Sequence, residues 1–154
     1  MLTTNKTATQ TASTLIFTWG NPSRGDDAIG PIIYERLEKE GLANVDRLTD
    51  FQLQIEHMID LENRQKIIFI DSSISAKAPF EFYEIFPIED DSYTSHAMSP
   101  QSLLAVYQKV NNQPPPTAFM LSIRGYEYGL GLSISKKAEK NIDEAMKFIK
   151  NNIT

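Results

Sequence analysis

Apolar and polar positions alternate in blocks along this chain, and the blocks predict its elements. "TLIFTW" (14–19) is a short, branched apolar run that predicts a strand. Through 28–40, Ile29, Ile32, Ile33 and Leu37 recur at helical spacing, and Gly41 is placed to stop that helix. "NVDRLTD" (44–50) predicts a second short strand, and "QIEHMIDLEN" (54–63) a helix with Ile55, Met58, Ile59 and Glu62 on successive turns. "KIIFIDSS" (66–73) has a continuous apolar centre, as a parallel strand buried on both faces requires. "FEFYEIFPI" (80–88) alternates instead, which predicts a half-exposed edge strand.

Ser99 followed by Pro100 reads as a helix cap and first-turn proline. Leu103, Leu104, Val106, Tyr107 and Val110 continue that helix as an apolar stripe. "NNQPPPT" (111–117) is a stiff connector, "TAFMLSI" (117–123) another buried strand, and "RGYEYGLGLS" a glycine-rich loop. Ala138, Ile142, Ala145, Met146 and Ile149 mark a last helix. Strands alternating with helices imply an α/β fold. We expect a three-layer sandwich: a mostly parallel, twisted sheet of about five strands, flanked by helices, with one antiparallel edge strand. Residues 1–13 are polar and read as a disordered N-terminal tail, leaving 14–154 as a single domain.

Composition narrows the chemistry. The net charge of −5 offers no basic stripe for nucleic acid. There is no cysteine, which removes disulfides, thiol catalysis, zinc ribbons and iron–sulfur clusters, and fits a reducing cytoplasm. The longest apolar run falls short of the roughly 18–20 residues that span a bilayer, so no membrane partner is expected. There is no G-x-S-x-G elbow, H-E-x-x-H helix, P-loop or G-x-G-x-x-G fingerprint.

Loops that follow parallel strands emerge on one edge of the sheet, and ligands bind there. Asp27, Asp71 and His96 fall on that edge: Asp27 after the first strand, Asp71 ending "IIFID", and His96 in "TSHAMSP" before a helix. Two carboxylates and an imidazole suit a divalent metal such as nickel, zinc or manganese. Each has a plainer reading. An aspartate before a helix is most often a cap. Pro31, however, cannot donate the N–H that a helix capped by Asp27 would call for, which favours a later start, a free Asp27 and an Asp26 that braces the loop. Asp71 could serve only to bind backbone N–H groups of the next loop. His96 alone would suit a surface or capping role. His57 sits mid-helix near Asp60, and we expect it to face solvent.

"GNPSRGDDAIGP" (20–31), "IIFIDSS" and "TSHAMSP" together resemble the hydrogenase maturation protease family, over about 14–150 of the chain. The family's opening motif, roughly Gly-Asn-x-x-x-x-Asp-Asp/Glu-x-x-Gly, is met by Gly20, Asn21, Asp26, Asp27 and Gly30. The resemblance implies an aspartyl-type endopeptidase that removes the C-terminal extension of a nickel–iron hydrogenase large-subunit precursor. Nickel already installed in that precursor would be the recognition element. It implies Asp27, Asp71 and His96 as the metal-recognising set, no metal necessarily held at rest, and a cytoplasmic monomer. Asp50 matches the acidic position of a turn that in many members reads Asp-Gly-Gly; here the glycines are Phe51 and Gln52. That version resembles the branch serving NAD-linked or similar cytoplasmic hydrogenases. Asp50 would orient substrate or water, or else only form a local turn. Two rivals stand beside this reading: a nickel-loading checkpoint that does not cut, and a doubly wound domain that binds a small ligand.

Overall fold

The computed structural model describes residues 11–89 and 98–153. Five strands form one sheet: β1 (Thr14–Trp19), β2 (Val45–Asp50), β3 (Lys66–Ser73), β4 (Phe80–Ile85) and β5 (Thr117–Arg124). Their spatial order is β2-β1-β3-β5-β4, with every pair parallel except β4 against β5. Among the described residues there are three α-helices: α1 (Ile29–Glu40), α2 (Pro100–Asn111) and α3 (Lys136–Asn152). The fold is α/β, a mostly parallel sheet with an antiparallel edge strand and helices on both faces.

The period of two in each strand divides the apolar residues between two cores. Ile16, Ile68, Ile70, Leu121 and Ile123 face one side, where they meet Ile29, Ile33 and Leu37 of α1 and Ala138, Ile142, Ala145 and Ile149 of α3. Leu15, Phe17, Trp19, Ile67 and Phe69 face the other, against Leu103, Leu104 and Tyr107 of α2 and Leu53 and Leu61. The central strands are therefore apolar on both faces, and their runs are continuous. On the edge strand β4, Phe82 stacks on Phe119 and Phe80 and Phe82 pack on Phe148 of α3, while on the opposite row only Ile85 is buried, in the second core.

Local signals set the helix ends. Gly41 adopts a left-handed conformation (φ 60°) to terminate α1. The Ser99 hydroxyl accepts from Ser102 N (3.1 Å) at the start of α2, and Ser135 accepts from Ala138 N (3.2 Å) at the start of α3. Ahead of β1 the chain is already tied down: Ala12 N donates to Asp46 Oδ2 (3.1 Å), and Arg64 donates to Ala12 O (2.9 Å). No helix among the described residues is long and apolar enough to cross a membrane.

Three local expectations need correction. The edge strand ends at Ile85 rather than 88, ahead of Pro87, which has no N–H to extend the ladder. Val110 is exposed rather than on the buried stripe of α2. The segment 54–63 forms a 3-10 turn over Ile55–Leu61, not an α-helix, and buries His57 and Leu61 while Ile55 and Ile59 face solvent.

Candidate active site

The loop after β1 folds back tightly onto its own strand. A Cβ on Gly20, whose φ is 147°, would lie 2.0 Å from Asp27 O, and one on Gly30 would lie 2.2 Å from Trp19 O. Only glycine fits either position, which is the physical content of the Gly-Asn…Gly spacing. The loop continues as a 3-10 turn (Gly25–Ala28) that runs into α1 at Ile29, and no side chain caps that helix. Pro31 sits in its first turn, where no intrahelical N–H is needed.

The two adjacent aspartates divide their tasks. Asp26 is fully buried and accepts four hydrogen bonds: from Tyr126 N (2.7 Å), Glu127 N (3.0 Å), Ser135 N (2.8 Å) and the Ser135 hydroxyl (2.8 Å). Burial alone would raise its pKa. The donors of Ser135, Glu127 and Tyr126 outweigh burial and hold the carboxyl below its ordinary value. Asp26 thus clamps the loop after β5 onto the loop after β1. Asp27 is only half buried, and its Oδ2 accepts from Asn21 N (2.7 Å).

Asp71 stands where β3 outruns β1, two residues short of the end of the strand, which continues to Ser73 alongside β5. Thr18 pairs with Ile70 across β1 and β3, so Asp71 lies level with Trp19. Its Oδ1 accepts from Ser72 N (2.7 Å). Burial pushes its pKa up to about 7, and the nearby charge of Asp27 adds to the rise; Ser72 N–H and the Trp19 indole offset part of it. The two carboxylates therefore lie within electrostatic reach of one another at the rim of the sheet.

Asp50 ends β2, level with Trp19 on the other side of β1. Its Oδ1 accepts from Phe51 N (2.7 Å), and its Oδ2 lies 3.0 Å from His57 Nε2. A cavity of about 290 Å³ opens here, lined by Gly20, Pro22, Pro31, Thr49, Asp50 and Phe51. His57 is not solvent-facing, as its sequence position suggested, but 7% exposed. Its ring stands edge-on to Phe17 with centroids 4.7 Å apart, and its Nδ1 accepts from Gln54 N (2.8 Å). The spacing of Gln54 and His57 is that of a capping box, a sequence signal that could have marked the histidine.

His96 lies outside the described residues. Met98, two residues on, donates its N–H to Leu53 O (3.2 Å), so the start of α2 joins the Asp50 side of the sheet. Among the described residues, no three His, Cys, Asp or Glu side chains converge as a metal site. Tyr128 is a neighbour that sequence reasoning missed. Its hydroxyl is buried without a hydrogen-bond partner: Ser72 lies beside it but outside bonding geometry. Burial raises its pKa, and the carboxylates of Asp71, Asp26 and Asp27 add to the rise despite Ser72, so the phenol keeps its proton.

No protein-family model matches the chain, and no curated protein does. Solved structures do. The hydrogenase maturating endopeptidase HybD of Escherichia coli superposes with a TM-score of 0.68 at 20% identity, covering 88% of each chain. The [NiFe] hydrogenase maturation protease HycI of Thermococcus kodakarensis gives 0.68 at 15% identity over 97% of each chain. A hydrogenase 2 maturation peptidase from a Thaumarchaeota archaeon gives 0.64 at 21% identity, covering 91% of this chain and 97% of its own. The chain has the fold shared by these hydrogenase maturation proteases.

Proposed function

We propose that this chain is an endopeptidase of hydrogenase maturation, removing the C-terminal extension of a nickel–iron hydrogenase large-subunit precursor once nickel is in place. The observation that carries this reading is the pairing of Asp27 with Asp71 at the rim of a sheet whose fold is that of hydrogenase maturation proteases. Carboxylates whose pKa is raised by burial and a neighbouring charge cluster at functional sites. Here nickel belongs to the substrate. Asp27, Asp71 and His96 would meet it with two carboxylates and an imidazole, donors that hold nickel more loosely than thiolates do. A cysteine-free protein can thus inspect the precursor's metal without extracting it. Asp50, beside the cavity, would orient the precursor or the attacking water. On this reading the chain works as a cytoplasmic monomer, with no membrane or nucleic-acid partner.

The test is to incubate the protein with its precursor, with and without nickel, and to weigh the product by mass spectrometry. Tail loss from the nickel-loaded form alone is expected, and Asp27→Ala, Asp71→Ala and His96→Ala should each abolish it. Equal cleavage by these variants would remove the site assignment. Cleavage of nickel-free precursor would remove the metal gating. Binding of loaded precursor without any change in its mass would make the chain a checkpoint rather than a protease.

A further inference from the structure

The His57 ring has both nitrogens committed. Gln54 N–H points at Nδ1, so in the neutral ring the proton sits on Nε2, which faces Asp50 Oδ2 at 3.0 Å. Packing on Phe17 fixes the plane of the ring. Asp50 is different: its side chain is 42% exposed, and beyond its bonds to Phe51 N and His57 each oxygen keeps a second lone pair. A buried imidazole is thus spent on holding an exposed carboxylate. Exposed ion pairs and hydrogen bonds contribute little to stability, because water competes for the same groups. What the contact does supply is direction, since a carboxylate held at both oxygens cannot rotate. That carboxylate lines the cavity shared with Gly20 and Pro22, of the loop that carries Asp27, and with Pro31 in the first turn of α1.

We propose that His57 is a positioning residue: through Nε2–H it fixes the Asp50 carboxylate so that its free lone pairs orient the precursor chain against the Asp27–Asp71 rim. This rests on the endopeptidase reading above. The cap to Gln54 is the competing, purely structural role, and the two nitrogens allow the roles to be separated. His57→Asn places an amide oxygen near the Nδ1 position, so it keeps the acceptor for Gln54 N–H and loses the donor to Asp50. His57→Gln reaches the Nε2 position with an amide N–H, so it keeps the donor and loses the cap.

Tail removal from nickel-loaded precursor is measured for both variants at a temperature where circular dichroism shows them folded. His57→Asn is expected to lower kcat about 10- to 100-fold, the penalty of a misdirected group, with little change in KM. His57→Gln should restore kcat to within about threefold of the wild type, despite a lower melting temperature. Adding Asp50→Asn to His57→Asn should cost nothing further, because the two act as one unit. Rates that follow melting temperature across the two variants, or a wild-type rate for His57→Asn, overturn the proposal while leaving the protease intact. If His57→Asn does not fold, the Gln variant decides: a rate as low as that of Asp50→Asn overturns the proposal. A wild-type protein that leaves loaded precursor uncut overturns both readings together.

Discussion

Replacing Asp71 by asparagine keeps the shape of the side chain and removes its charge. Burial and the neighbouring Asp27 lift the Asp71 pKa from 3.8 to about 7. Between those values the folded chain holds a proton that the unfolded chain has already released. Stability must then fall as pH rises through that window, and the full loss is present above pH 7. One pKa unit is worth about 1.4 kcal/mol, so the rise sets an upper bound of about 4–5 kcal/mol. Water reaches part of the side chain, and screening brings the expected figure to about 2–4 kcal/mol. Asp71→Asn has no such proton, so its stability relative to the wild type should improve by that amount between pH 4 and pH 8. Urea unfolding of both proteins at several pH values, in the presence of a chelator, gives the difference directly. A difference that stays flat from pH 4 to pH 8 would refute the claim that this carboxylate is buried beside another. The same substitution should abolish processing of the precursor, so the variant trades activity for stability.

Two further substitutions test the neighbourhood of the rim, one at the clamp between the loops and one at Tyr128. Asp26→Ala leaves the N–H groups of Tyr126, Glu127 and Ser135 without their acceptor and should cost about 3 kcal/mol or more, read from urea denaturation at pH 7. Because the folded-state pKa of Asp26 is depressed, that contribution is present above pH 3.8 and fades as pH falls below it, so the gap between variant and wild type should narrow in acid. Tyr128→Phe removes an oxygen that has no hydrogen bond, and its stability should stay within about 0.5 kcal/mol of the wild type or rise; a larger loss would mean that Ser72 is a true partner.

The position of Asp27 was legible because its determinants are local. Pro31 lacks an N–H wherever it stands, and Gly20 and Gly30 permit a close backbone approach wherever they stand. The helix therefore starts at Ile29 without a side-chain cap and Asp26 braces the loop, as the order of these residues suggested, while Asp27 caps no helix but takes the N–H of Asn21. The strands were legible for the same reason, since a continuous apolar run needs cover on both faces. The segment 54–63 was misread because Ile55, Met58 and Ile59 imitate a helical stripe. The contacts of His57 with Asp50 and Phe17, together with the burial of Leu61, turned a different face inward.

What the chain order determines by itself is the alternation of strands and helices, the sharp turn after β1, and the set of acids that end up on one edge. Tertiary structure alone decides how those acids behave. Asp71 is lifted to about 7 only because β3 is central and Asp27 arrives from another strand's loop. His57 becomes a partner of Asp50 only because Phe17 receives its ring. Backbone preferences act over neighbouring residues and can be read along the chain. Desolvation and charge–charge coupling depend on what lies nearby in space, and folding alone brings those groups together.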